Sequence, residues 1–189
     1  LKEHIRDYQK ILQTATRYEN EGQLKEALEE FLKADKIQHS PEISLHIGNL
    51  LYRLGRLNES IERYQICLEL KPNQAGAHYG LGLAYYRKAR ISEAIQQFKK
   101  TQKIDPDYHL GEACAQLGNV EETIKNFEKV VEHNPQDASA LFQLGLAYYK
   151  KGELDKSIYS FKKVLELDPE HERAKTNLKS LEEVRIHFY

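Results

Sequence analysis

The sequence predicts an all-α protein built as a stack of similar helical pairs, rather than one globular core. Two observations carry this. Pro72, Pro106, Pro135 and Pro169 punctuate the chain at gaps of 34, 29 and 34 residues. The wording between them also recurs, with LGLAYY at Leu81–Tyr86 and again at Leu144–Tyr149, and LELKP ending at Pro72 against LELDP ending at Pro169. A fixed period of this length marks a supersecondary unit that cannot bury its apolar face alone and buries it against its neighbours. Such a stack presents a long surface, and that surface is where function is expected.

Taken in order, the first unit spans about Tyr8 to Ser40. It is the most diverged, keeping Tyr18, Gly22, Ala27, Phe31 and Ala34 but reading Thr14-Ala15 where the others read Leu-Gly or Ile-Gly. Pro41–Gln74 follows through Ile47, Gly48, Leu51, Gly55, Ser60, Tyr64, Cys67 and Pro72. Ala75–Tyr108 sets the register. Its first helix, about 77–88, places His78, Leu81, Gly82 and Tyr85 on one face at spacings of three and four. Its second, about Ser92–Lys103, turns Ile91, Ala94, Ile95, Phe98 and Thr101 to that partner, with Ser92 as the expected N-cap. Asp105-Pro106 closes the unit, because the residue before proline avoids helical dihedrals.

The fourth unit, 109–137, is short. The register resumes at Leu110-Gly111 through Cys114, Gly118, Thr123, Phe127 and Pro135, but only Asp107, Tyr108 and His109 precede it, where the pattern asks for five more residues. Five residues are ~7.5 Å of helix, more than one turn. The slip predicts an interruption of the chain between Pro106 and Leu110; the alternative is a truncated helix. The fifth unit, Ala138–His171, matches in full through Leu141, Leu144, Gly145, Tyr148, Gly152, Ser157, Phe161 and Pro169. A last helix, about 170–184, aligns Ala174, Leu178 and Leu181 and reads as a terminal cap.

Leu81-Gly82, Tyr85, Ala94, Phe98 and Pro106 fall at the spacing W-x2-L-G-x2-Y, A-x3-F, P. In this the chain resembles the tetratricopeptide repeat family over nearly its whole length. The leading Trp is absent, replaced by Ile11, Ser44, His78 and Leu141. The resemblance implies a right-handed α-solenoid of about five helix-turn-helix units plus the C-terminal helix, forming a single domain over residues 1–189. The residues make physical sense in that frame. Gly48, Gly82 and Gly145 lack side chains where two helices press together; Ala27, Ala94, Ser60 and Ser157 are small at the reciprocal crossing. Gly22, Gly55, Gly118 and Gly152 stand at the turns, where a positive φ is needed.

Composition excludes several function classes. Net charge is -1 and charged residues make up 30% of the chain, without the basic excess of a nucleic-acid binder. No run approaches the roughly 18 apolar residues of a membrane span, and the N-terminus has no apolar signal-peptide core; a cytoplasmic location is the expectation. The chain begins with Leu1, which reads as a fragment or a processed form. Cys67 and Cys114 make neither a disulfide framework nor a zinc spacing and are expected to be buried thiols at small packing positions.

No motif points to catalysis. Gly80-Leu81-Gly82 lacks the strand and third glycine of a dinucleotide site, the eight histidines form no HExxH, and the sequon Asn58-Glu59-Ser60 has its Ser at a buried crossing position. No enzyme activity, cofactor or metal is expected. What remains is an apolar surplus on the first helices: Leu45, Asn49 and Tyr52 in one unit, Tyr79, Leu83 and Tyr86 in the next, Phe142, Leu146 and Tyr149 in the fifth. Arg53, Arg87, Gln116 and Lys150 lie beside them as a partly basic edge. In the family this face lines the concave groove that binds peptides or partner helices. The resemblance therefore implies a non-catalytic scaffold for a protein partner with apolar anchors and some acidic residues. Two alternatives stand: a targeting domain of a larger enzyme, or a self-assembling scaffold that meets other copies through Phe188-Tyr189 and the last helix. Co-chaperones of the family grip a C-terminal carboxylate with Lys, Asn and Arg on successive first helices. Here those places carry Leu12, Thr16, His46, Gly76 and Gly80 and supply no cation, so that role is not expected.

Overall fold

The computed structural model describes residues 2–101 and 106–188. Among the described residues there are eleven helices and no strand: α1 (Lys2–Asn20), α2 (Leu24–Ile37), α3 (Pro41–Arg53), α4 (Leu57–Leu70), α5 (Ala75–Arg87), α6 (Ile91–Phe98), α7 (Asp107–Gln116), α8 (Val120–His133), α9 (Ala138–Lys151), α10 (Leu154–Leu167) and α11 (Glu172–Phe188). They fall into two compact units divided between residues 105 and 106. In the first unit α1 to α6 pack each on the next, and α3 also touches α5; in the second, α7 to α11 do the same.

Four of the helical pairs are held by the same device. At the α9–α10 crossing a Cβ on Gly145 would sit 2.8 Å from Cε1 of the Phe161 ring, so the ring fills the place of the missing side chain. Gly48, Gly82 and Gly111 face Tyr64, Phe98 and Phe127 in the same way. The reciprocal serines do more than stay small. Ser60 Oγ donates to Gly48 O and Ser157 Oγ to Gly145 O, each at 2.8 Å with the serine fully buried. These bonds cross-link the paired backbones and satisfy hydroxyls that would otherwise be costly to bury. Around them the core of the first unit gathers Ala15, Ala27, Phe31, Ile47 and Leu50, and that of the second Leu141, Phe142, Phe161, Val164 and Leu181.

The turns follow the expected chemistry with one exception. Gly22, Gly55, Gly118 and Gly152 have φ between 74° and 84°, with open space around them, so backbone conformation and not crowding selects glycine there. Ala89 takes the same place between α5 and α6 at φ 56°.

Three expectations need correction. Ser92 is not the N-cap of its helix: α6 starts at Ile91, and Arg90 occupies the cap position without a side-chain bond to the helix. That helix also ends at Phe98, short of the predicted Lys103, which itself lies outside the described residues. Second, the chain runs unbroken where an interruption was predicted. Leu110 N donates to Pro106 O at 2.8 Å, and α7 is a short helix of 10 residues. Third, Cys114 stands in register with Tyr85 and Tyr148, not at a small-residue position, although it and Cys67 are both buried and neither is in a disulfide. Burial pushes the Cys67 thiol up to about 11, and its Sγ lies 3.1 Å from Pro41 O, so it stays protonated at neutral pH.

Candidate functional site

The candidate side chains are carried by α3, α5 and α9. Successive repeats carry equivalent residues at four register positions. Leu45, Tyr79, Tyr108 and Phe142 share one; Asn49, Leu83, Glu112 and Leu146 the next; Tyr52, Tyr86, Ala115 and Tyr149 the third; Arg53, Arg87, Gln116 and Lys150 the last.

In the first unit, α3 and α5 bring their columns together. The Arg87 guanidinium lies over the Tyr52 ring, 5.0 Å from its centroid, and Nη1 donates to Tyr52 O at 3.2 Å. Leu45 leans onto the start of α5, where a Cβ on Gly76 would meet it at 3.3 Å. Leu45, Asn49, Tyr52, Tyr79, Leu83 and Tyr86 are all half-buried, and Arg53 and Arg87 are exposed. Burial raises the Tyr79 hydroxyl above its usual range, with a smaller push from Tyr52. The half-buried apolar column is thus edged by two cations.

Asn49 has a partner that the sequence did not reveal. Tyr64 reaches from α4 between α3 and α5, and its hydroxyl donates to Asn49 Oδ1 at 2.8 Å. Gly80 makes the passage: a Cβ there would lie 2.4 Å from Tyr64 Cζ. Where Tyr64 stands, the other units carry Phe31, Phe98, Phe127 and Phe161, which need no acceptor.

The second unit departs from expectation at Phe142. It was assigned to the exposed wall but is 4% exposed. Its ring packs between Phe161 at 5.6 Å and His171 at 4.9 Å, with Arg173 over it at 4.8 Å. It is a core residue, because this column points back at the partner helix; Tyr79 on Phe98 and Tyr108 on Phe127 repeat the contact. Leu146 is half-buried against the same core, whereas Tyr149 and Lys150 are exposed. Sequence reasoning passed over Tyr108, Glu112 and Ala115, although the register resuming at Leu110-Gly111 already placed them.

Asn58 of the sequon accepts a hydrogen bond from Lys88 Nζ, while Ser60 is buried on Gly48. Among the described residues no group of three or more His, Cys, Asp or Glu is placed to hold a metal, and no helix is long and apolar enough to cross a membrane.

Paired helices crossing at a glycine and a ring, repeated along the chain, define a helical repeat protein of the α-solenoid class. Models of the TPR repeat and the tetratricopeptide repeat match residues 48–88, 75–108, 111–152 and 138–171. The chain belongs to the tetratricopeptide repeat family, whose members act as protein-interaction scaffolds. It is 27% identical over 133 residues to the protein CTR9 homolog of Arabidopsis thaliana, covering 67% of this chain and 12% of that protein. It is 28% identical over 149 residues to TPR repeat-containing protein MJ1428 of Methanocaldococcus jannaschii, covering 76% and 26%. The chain therefore spans about a quarter of one of these relatives and about an eighth of the other. Among solved structures it is similar to YrrB, described as a TPR protein with an unusual peptide-binding site, with a TM-score of 0.78, 27% identity and 84% of each chain covered.

Proposed function

We propose that the chain binds a segment of a partner protein along the uncovered faces of its first helices and carries out no catalysis of its own. The observation behind this is a repeated one. Tyr52, Tyr86 and Tyr149 stand one turn beyond Asn49, Leu83 and Leu146, each tyrosine is followed by a cation, and all six keep exposed or half-exposed surface. Surface kept accessible at the same register in several units suits association. Arg53, Arg87 and Lys150 favour a segment that mixes apolar anchors with acidic residues. The unusual peptide-binding site of the similar protein YrrB supports the same kind of ligand.

Photo-crosslinking tests this reading. A benzoylphenylalanine in place of Tyr86 or Tyr149 should capture partner protein. The same group in place of Tyr159, which is 62% exposed on α10, should not. Capture through position 159 alone would move the binding surface to the second helices.

A further inference from the structure

Two turns of the first unit carry a local excess of positive charge. Residues 53–59 lead from α3 into α4, and residues 87–93 from α5 into α6. Their two carboxylates are taken by arginines of the same turn. Arg56 Nε donates to Glu59 Oε1 at 2.8 Å, and Arg90 Nε to Glu93 Oε1 at 2.9 Å. Arg53, Arg87 and Lys88 remain. All three are exposed, and none has a carboxylate within 4.0 Å among the described residues.

The packing draws these three charges to one place. Arg87 reaches back to the end of α3, where Nη1 donates to the Tyr52 carbonyl that precedes Arg53, at 3.2 Å. Lys88 reaches back to Asn58 at the start of α4. Stacking on the Tyr52 ring, 5.0 Å from its centroid, holds the Arg87 guanidinium in position without neutralising it. The negative end of the α3 dipole offsets only about half an elementary charge. The corresponding turns elsewhere differ. Residues 116–122 hold Glu121 and Glu122 and no Lys or Arg. In 150–156, Lys151 and Lys156 both pair with Glu153 at 2.7 Å.

We propose that the turn end of α3 and α5 is a docking surface for an acidic stretch of the partner segment, a short run of aspartates and glutamates. The proposal rests on the first-helix reading above and adds where on that surface the acidic residues sit. Charge complementarity selects the occupant. Neighbouring helices pack about 8–10 Å apart, and an extended segment advances about 3.3 Å per residue. A segment crossing from α3 to α5 therefore passes Arg53 and Arg87 within about three residues, so a run of three or four acids meets all three cations. A nucleic acid suits the patch less. Glu59 and Glu93 border it, and the chain has a net charge of -1 rather than the basic excess of a nucleic-acid binder.

The test titrates the nitrogen-labelled chain with the blocked tetrapeptide acetyl-Glu-Asp-Glu-Asp-amide and follows backbone amides by NMR. Amides of residues 53–58 and 86–90 should shift saturably, with Kd of about 1–5 mM at low salt, as befits so small a ligand. Raising salt from roughly 10 to 150 mM cuts the Debye length from about 30 to 8 Å and should weaken binding at least about threefold. The uncharged acetyl-Gln-Asn-Gln-Asn-amide should not bind. Arg53→Gln combined with Lys88→Gln should weaken binding at least about fivefold. Arg53 makes no hydrogen bond or ion pair among the described residues, so Arg53→Gln alone should keep the fold and still weaken binding. Lys125→Gln combined with Lys162→Gln, two exposed cations on α8 and α10, should change nothing. Shifts absent at roughly 20 mM probe, centred outside these turns, or unaltered by Arg53→Gln would overturn the proposal. So would tighter binding of an oligothymidylate of equal charge to the same amides, which would assign the patch to nucleic acid. Crosslinking through Tyr86 does not depend on these cations, so the two readings fail separately.

Discussion

At position 64 a tyrosine replaces the phenylalanine of every other unit, and one added oxygen constrains two further helices. The hydroxyl needs an acceptor in a buried place, which Asn49 supplies, and a path past α5, which Gly80 leaves open. Gly80→Ala should destabilise the protein by about 1–3 kcal/mol, because the ring sits where the Cβ must go. Chemical denaturation would measure this, and the cost should shrink in a Tyr64→Leu background, which removes the Cζ, Cε1 and hydroxyl that the methyl would meet. A cost unchanged by Tyr64→Leu would mean that the backbone of α5, and not the ring, resists the methyl. Ala89 is the opposite case. It holds a left-handed φ of 56° where four other turns use glycine. Ala89→Gly should raise stability by about 1 kcal/mol, seen as a higher midpoint in denaturant. The repeat made the glycine positions legible because they recur. The Tyr64–Asn49–Gly80 set was not, because a repeat pattern treats Tyr and Phe alike, and the three positions are linked only across helices.

Helix boundaries show where periodicity informs and where it does not. The heptad-like spacing of Leu81, Gly82 and Tyr85 fixed which face of α5 is buried, and all three are buried. It could not fix the start of α6, since Ile91 can follow the turn directly and Ser92 then falls inside the first turn. The short helix α7 is the sharper lesson. Counting residues suggested missing chain, yet α7 forms with 10 residues and keeps the crossing of Gly111 with Phe127. Tyr108 still packs edge-on against Phe127 at 5.5 Å. Asp107 pairs with Lys129 of α8 at 3.1 Å and so ties down the helix start. The contacts that define a unit lie in the latter part of its first helix, which explains why the pattern survives a trimmed beginning. The same counting placed Phe142 on the open wall. Its column is set by the facing ring of the second helix, a distinction that spacing alone does not carry.

Across the whole chain, the 34-residue gaps made the family and the all-α architecture readable before any coordinate. The proposed function rests on residues that keep exposed or half-exposed surface: Leu83 and Tyr86 in the first unit, Tyr149 and Lys150 in the second. The most direct test is the affinity of the crosslinked partner for the wild-type chain and for Leu83→Glu combined with Tyr149→Glu, measured by calorimetry alongside thermal melting. Both side chains keep surface that the core does not need, so melting should be nearly unchanged. Binding should weaken at least about tenfold, or ~1.4 kcal/mol. Equal affinity in a variant that melts like the wild type would contradict the assignment of the first-helix face as the partner's site.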